Sequence, residues 1–76
     1  MKAYILIKVR VGEIREVVKS LRRIDSVIEA NMTFGPYDIV AILNADNVND
    51  IGHLIASNIQ PIPGVLETLT CLAVEP

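Results

Sequence analysis

Near the middle of a 76-residue chain, between two strand-like runs, stands Thr33-Phe34-Gly35-Pro36-Tyr37-Asp38, and this stretch limits the possible folds more than any other. Pro36 pre-sets φ for the second position of a tight turn and Gly35 relieves crowding beside it. Asp38 can accept hydrogen bonds from backbone amides as the next strand begins. A reversal placed here divides the chain into two strand-helix-strand units folded about a hairpin.

The residues on either side fit that division. Ala3 to Val11 alternates with period two, with Ala3, Ile5, Ile7, Val9 and Val11 on one face and Tyr4, Leu6, Lys8 and Arg10 on the other. After Gly12, Ile14, Val17, Val18, Leu21 and Ile24 follow helical spacing over Glu13 to Ile24, leaving Arg15, Lys19, Arg22 and Arg23 off the stripe. Alternation resumes over Val27 to Phe34, setting Ile28, Ala30, Met32 and Phe34 against Val27, Glu29, Asn31 and Thr33. Asp38 to Ala45 is a nearly continuous apolar run, the pattern of an interior strand covered on both sides. Asp46 or Asn47 caps a second helix whose stripe is Val48, Ile51, Leu54, Ile55 and Ile59. Gly52 within it predicts a close packing contact. Pro61 and Pro63 end that helix, and Val65 to Val74 forms the last strand.

Short connections and right-handed crossovers turn this order into an α+β fold, the ferredoxin-like βαββαβ sandwich. It has a four-stranded antiparallel sheet with two helices on one face, and residues 1–76 form a single domain. The helices leave the other face bare, and alternation places Tyr4, Leu6, Leu66 and Leu72 there. A chain this short buries only roughly 60 % of the surface its unfolded form exposes, yet 51 % of its residues are hydrophobic. No apolar run reaches the ~20 residues of a membrane span, and the first strand lacks the cleavage pattern of a secretory signal. The expected outlet is a homodimer paired through its sheet faces.

Chemistry narrows the function further. The one cysteine, Cys71, cannot form an intrachain disulfide, which suits a reducing, cytoplasmic setting, and its apolar neighbours favour an inert buried thiol. A net charge of −2 gives no general attraction to nucleic acid or anionic lipid. His53, the one histidine, reads as solvent-facing or structural, and no spacing of His, Cys or carboxylates suggests a metal or a catalytic pair. No catalytic residue, metal or cofactor is therefore assigned. Val9-Arg10-Val11-Gly12-Glu13 holds too little glycine for the phosphate cradle of acylphosphatase-type enzymes. The central strands offer Tyr4 alone as a platform for base stacking. The cations of the first helix, with Glu13 and Glu16 beside them, read as a solvated face with intrahelical ion pairs.

A small zwitterion fits better. Backbone N–H groups of a hairpin turn attract a carboxylate, Asp38 can receive an ammonium group, and the Thr68 and Thr70 hydroxyls share one side of their strand. Threonine is also a common strand former and aspartate a common turn cap. On the residues alone, ligand binding and a purely structural role both stay open.

Ala3-Tyr4-Ile5-Leu6-Ile7, the turn Gly35-Pro36-Tyr37-Asp38 with the hydrophobic strand after it, and Pro63-Gly64-Val65 leading into a threonine-bearing last strand carry a family resemblance. Over nearly its whole length the chain resembles the C-terminal effector-binding (RAM) domain of the Lrp/AsnC transcriptional regulators. The resemblance implies a sensor of free amino acids that dimerises through its sheets and assembles into a ring of dimers, an octamer or similar. Gly35, Tyr37 and Asp38 match the turn that contacts effector, and Thr68 and Thr70 fall where last-strand side chains approach it. Pro36 has no N–H and so removes any backbone contact at that position. With the first strand starting almost at Met1, the expectation is a stand-alone RAM domain with no DNA-binding domain. It would sense amino acids and modulate full-length Lrp/AsnC regulators or amino-acid metabolism. Alternatives are an ACT-like regulatory module binding at Val11-Gly12-Glu13, a small dimeric α/β-barrel enzyme using a cavity that holds His53, and an assembly module with an empty turn pocket.

Overall fold

The structure, a computed structural model, describes residues 1–74. Its elements are β1 (Lys2–Val9), α1 (Ile14–Arg22), β2 (Val27–Met32), β3 (Ile39–Asn44), α2 (Val48–Leu54) and β4 (Val65–Leu72). The strands form one antiparallel sheet in the order β2-β3-β1-β4. This is the expected ferredoxin-like arrangement. Alternate residues of the two central strands, Ala3, Ile5, Ile7 and Val9 with Ile39, Ala41 and Leu43, are buried together with Val17, Val18 and Leu21 of α1 and Ile51 of α2. Both helices thus cover the same face.

Asn47 is the residue that caps α2, its side chain accepting the Asp50 N–H at 2.9 Å. A π-helical segment, Ile55–Ile59, continues the helix. Ile51, Ile55 and Ile59 are spaced by four, and each such step overshoots a turn of α-helix by about 40°. The wider π turn reverses the drift, so all three stay buried.

Several local expectations are corrected. β1 ends at Val9, and Val11 is 94 % exposed in a turn where Glu13 N–H donates to the Arg10 carbonyl at 3.1 Å. Gly52 lies at the surface, and a Cβ there would meet nothing within 4 Å, so no close contact explains it. Residues 33–38 form a broader loop than a four-residue turn. It is closed by Thr33 N–H to the Asp38 carbonyl at 2.9 Å and by the Thr33 hydroxyl to the Tyr37 carbonyl at 2.8 Å.

Two β-bulges account for the remaining differences. In β2, Val27 opposes Leu43 and Glu29 opposes Ile42, so Ile28 is the extra residue, and Val27 and Ala30 share the helix-covered face. In β4, Val65 opposes Val9 and Glu67 opposes Lys8, so Leu66 is the extra residue. Beyond it Thr68, Thr70 and Leu72 oppose Ile7, Ile5 and Ala3 on the helix-covered face. Leu66 is the exposed, unpaired residue of the bulge, and Leu72 is not a β4 residue of the open face. Leu69 and Cys71 are, opposite Leu6 and Tyr4. Cys71 is exposed in the single chain rather than buried. Val40 and Ile42 of β3 complete this apolar surface and are only half-buried, so one chain does not cover its central strand on both sides.

Candidate ligand-binding site

The loop between β2 and β3 is tied to β1 rather than hanging free. Asp38 N–H donates to the Ile7 carbonyl at 2.9 Å, which extends the β1–β3 ladder by one bond. The Asp38 carboxylate then accepts the Val9 N–H through Oδ2 at 2.8 Å. The cap expected of Asp38 is thus made to a neighbouring strand. Its other oxygen has no hydrogen-bond donor among the described residues, so the carboxylate is held in orientation with one oxygen free.

Beside this carboxylate is a groove of about 480 Å³ lined by Ile14, Met32, Thr33, Phe34, Gly35 and Asp38. Ile14 comes from the first turn of α1 and Met32 from the end of β2. Phe34 is fully exposed, so the groove has an aromatic wall with no packing partner among the described residues. Gly35 sits at φ 156°, where L side chains are rarely found, and has open space around its Cβ position. The site combines an apolar trough with one anionic end, a shape that suits an ammonium group carrying a hydrocarbon side chain.

The residues predicted for the site fall into two groups. Gly35 and Asp38 line the groove, and Tyr37 adjoins them with the Lys8 ammonium 5.9 Å from its ring centroid. Thr68 and Thr70 lie on β4, separated from β3 by β1, at two strand spacings or roughly 10 Å. The Thr68 hydroxyl accepts from Gln60 Nε2 at 3.3 Å, and Thr70 is exposed. Within one subunit the threonines and the loop do not meet. Ile14, Met32 and Phe34 were not foreseen as lining residues, although an aromatic immediately before Gly35-Pro36 is a signal that could have pointed to Phe34.

His53 lines a separate polar cleft of about 580 Å³ at the β3–α2 junction, with Asp46, Asp50, Ser57 and Asn58 among its walls. This cleft is not on the open sheet face where paired sheets would enclose a cavity. No group of three or more His, Cys, Asp or Glu residues that could hold a metal occurs among the described residues. At Gly12 no neighbour lies within 4 Å of a Cβ position, and Glu13 spends its carboxylate on Arg10 at 3.0 Å. No helix among the described residues is long and apolar enough to cross a membrane.

Comparison with known proteins agrees with this architecture. The family model described as the Lrp/AsnC ligand binding domain matches residues 2–76. The chain is 32 % identical over 75 residues to the HTH-type transcriptional regulator FL11 of Pyrococcus horikoshii, covering 99 % of this chain and 49 % of FL11. It therefore spans about half the length of that regulator. The crystal structure of FFRP-DM1 superposes with a TM-score of 0.91 at 30 % identity, covering 96 % of this chain and 97 % of that one. The fold also matches the transcriptional regulator NMB0573 of Neisseria meningitidis, determined as a complex with L-Met. There the TM-score is 0.88 at 18 % identity, covering 97 % of this chain and 49 % of the regulator. FL11 and NMB0573 are both named as transcriptional regulators. The chain belongs to the Lrp/AsnC ligand-binding domain family.

Proposed function

We propose that this protein is a non-catalytic sensor of free amino acids that works as a homo-oligomer. The observation that carries the reading is the half-built groove at residues 33–38. Asp38 is pinned by Val9 with one oxygen free, at the end of an apolar trough whose Phe34 wall has no partner among the described residues. The free carboxylate oxygen receives the amino group of the effector, Ile14 and Met32 contact its side chain, and a second subunit closes the open side over Phe34. Thr68 and Thr70 join the site only from another subunit, because β1 stands between them and the loop. That NMB0573 was determined with L-Met supports an amino acid as the class of ligand.

Self-association follows from the second face of the sheet. Tyr4, Leu6, Val40, Ile42 and Leu69 form an uncovered apolar surface, and pairing it with its copy is the arrangement that hides it while leaving the loop at the dimer margin. Such dimers assemble further into a ring through the loop, and they modulate full-length Lrp/AsnC regulators by mixed assembly.

Calorimetric titration of the protein with each of the standard amino acids tests the sensing role. The informative variant is Asp38→Asn, which keeps an acceptor for the Val9 N–H and removes the charge. An effector should bind the wild type and lose affinity in the variant. Absence of binding by every amino acid at millimolar concentration, across a protein series that spans the assembly transition, removes the basis of the reading.

A further inference from the structure

Of the cations of α1, Lys19 has an intrahelical ion pair and the arginines do not. Glu13 turns away to Arg10, at 3.0 Å, and Glu16 reaches Lys19 only, at 3.5 Å between largely exposed side chains. Arg15, Arg22 and Arg23 have no carboxylate partner among the described residues. A protein of net charge −2 therefore concentrates positive charge on one face.

That face borders a groove of about 520 Å³ between α1 and β2, lined by Arg15, Val18, Lys19, Arg22, Asn31 and Met32. Arg15, Lys19 and Arg22 lie at i, i+4 and i+7, so they form one row along the helix. Arg22 is fixed in place: its Nε and Nη2 both donate to the Ala30 carbonyl, at 3.1 and 2.9 Å. Three of its five N–H donors are left for a ligand, and little side-chain freedom remains to be lost on binding. The opposite wall is β2, an edge strand. The bond from Thr33 N–H to Asp38 fixes the pairing phase, so Ala30 and Met32 turn their backbone groups away from β3 toward the groove. Arg22 occupies the Ala30 carbonyl and blocks continuous strand addition there, while the Met32 end stays open.

We propose that this groove is a docking surface for an acidic, extended peptide segment of a partner protein. Carboxylates of the segment pair with Arg15, Lys19 and Arg22, and its alternate apolar residues rest on Val18 and Met32. The apolar floor and the outward backbone groups of Met32 favour a peptide over nucleic acid, since no aromatic residue lines the groove for base stacking. Met32 also lines the groove beside Asp38, so the two surfaces are contiguous yet use different charged residues.

The test is fluorescence anisotropy of the 76-residue protein with a labelled peptide of about ten residues, long enough to run along an edge strand, in which glutamate and valine alternate. The controls are the same peptide with lysine for glutamate, and a random-sequence DNA duplex. The expected result is saturable binding of the glutamate peptide that weakens at least about ten-fold in Arg15→Glu/Lys19→Glu and again between about 0.05 and 0.5 M salt. The lysine peptide should not bind. Both substituted side chains are exposed, and a milder Arg15→Gln/Lys19→Gln variant guards against a folding defect in the first. Absence of binding, binding indifferent to the substitutions, or equal binding of the lysine peptide overturns the proposal. Tighter binding of the DNA assigns the groove to nucleic acid instead and overturns it too. Asp38→Asn should leave peptide affinity unchanged, which separates this surface from the amino-acid site.

Discussion

The carboxylate of Asp38 accepts the backbone N–H of Val9 at 2.8 Å, joining the start of β3 to the end of β1 across 29 positions of sequence. This bond makes one residue answerable both for the end of the sheet and for the charge in the groove. Asp38→Ala should leave the Val9 N–H without its partner and destabilise the fold by about 1–3 kcal/mol. Asp38→Asn retains an acceptor and should cost less, while losing any ammonium ligand. Urea denaturation of both variants separates the two roles. Equal stability of wild type and Asp38→Ala would contradict the structural one.

Two glycines should respond in opposite directions to alanine. Gly64 has φ 99°, and a Cβ there would lie 3.1 Å from Glu13 Cβ, so Gly64→Ala should destabilise by more than about 1 kcal/mol. Gly52 is helical, exposed and surrounded by open space, so Gly52→Ala should stabilise by about 1 kcal/mol. Thermal unfolding of the pair checks both signs. A loss of stability in Gly52→Ala would mean that this helix face is covered in the assembly.

Removal of the α2 cap is expected to be local. Asn47→Ala takes away the acceptor of the Asp50 N–H and should cost about 1 kcal/mol, with Asn47→Asp close to neutral. Amide hydrogen exchange should show faster exchange confined to the first turn of α2, and uniform acceleration through the sheet would argue against a local cap.

On the open face, Leu69 and Leu6 oppose each other across β4 and β1 and lie among the residues most in need of cover. Leu69→Lys puts a charge where the paired sheets would meet. It should shift the protein to monomer with little change in the far-ultraviolet circular dichroism of the subunit. A dimer undiminished by this substitution would place the interface elsewhere.

Much of this fold was legible in the residues. Ile5 and Ile7, Val17 and Leu21, and Ile51 and Ile59 occupy the core positions that period two and period 3.6 assign to them. The bulges were not legible, because one extra residue at Ile28 or Leu66 reverses the alternation without any change in composition. That reversal moved Leu72 to the helix-covered face and left Leu69 and Cys71 on the open one. At the site, Asp38 could be read as a cap but not as a cap on β1, since its partner is distant in sequence. That Ile14 and Met32 line the same groove as Phe34 arises from the placement of α1 beside the loop, which no local pattern encodes.

In the proposed assembly the bare sheet face and the half-built groove are each completed by another copy of the chain. Sedimentation velocity of the purified protein over a wide concentration range, with and without a mixture of amino acids, tests this most directly. The account predicts dimers at the lowest concentrations and larger, discrete assemblies whose proportion changes when the effector is present. A monodisperse, soluble monomer at every concentration, with amino acids or without, would contradict it.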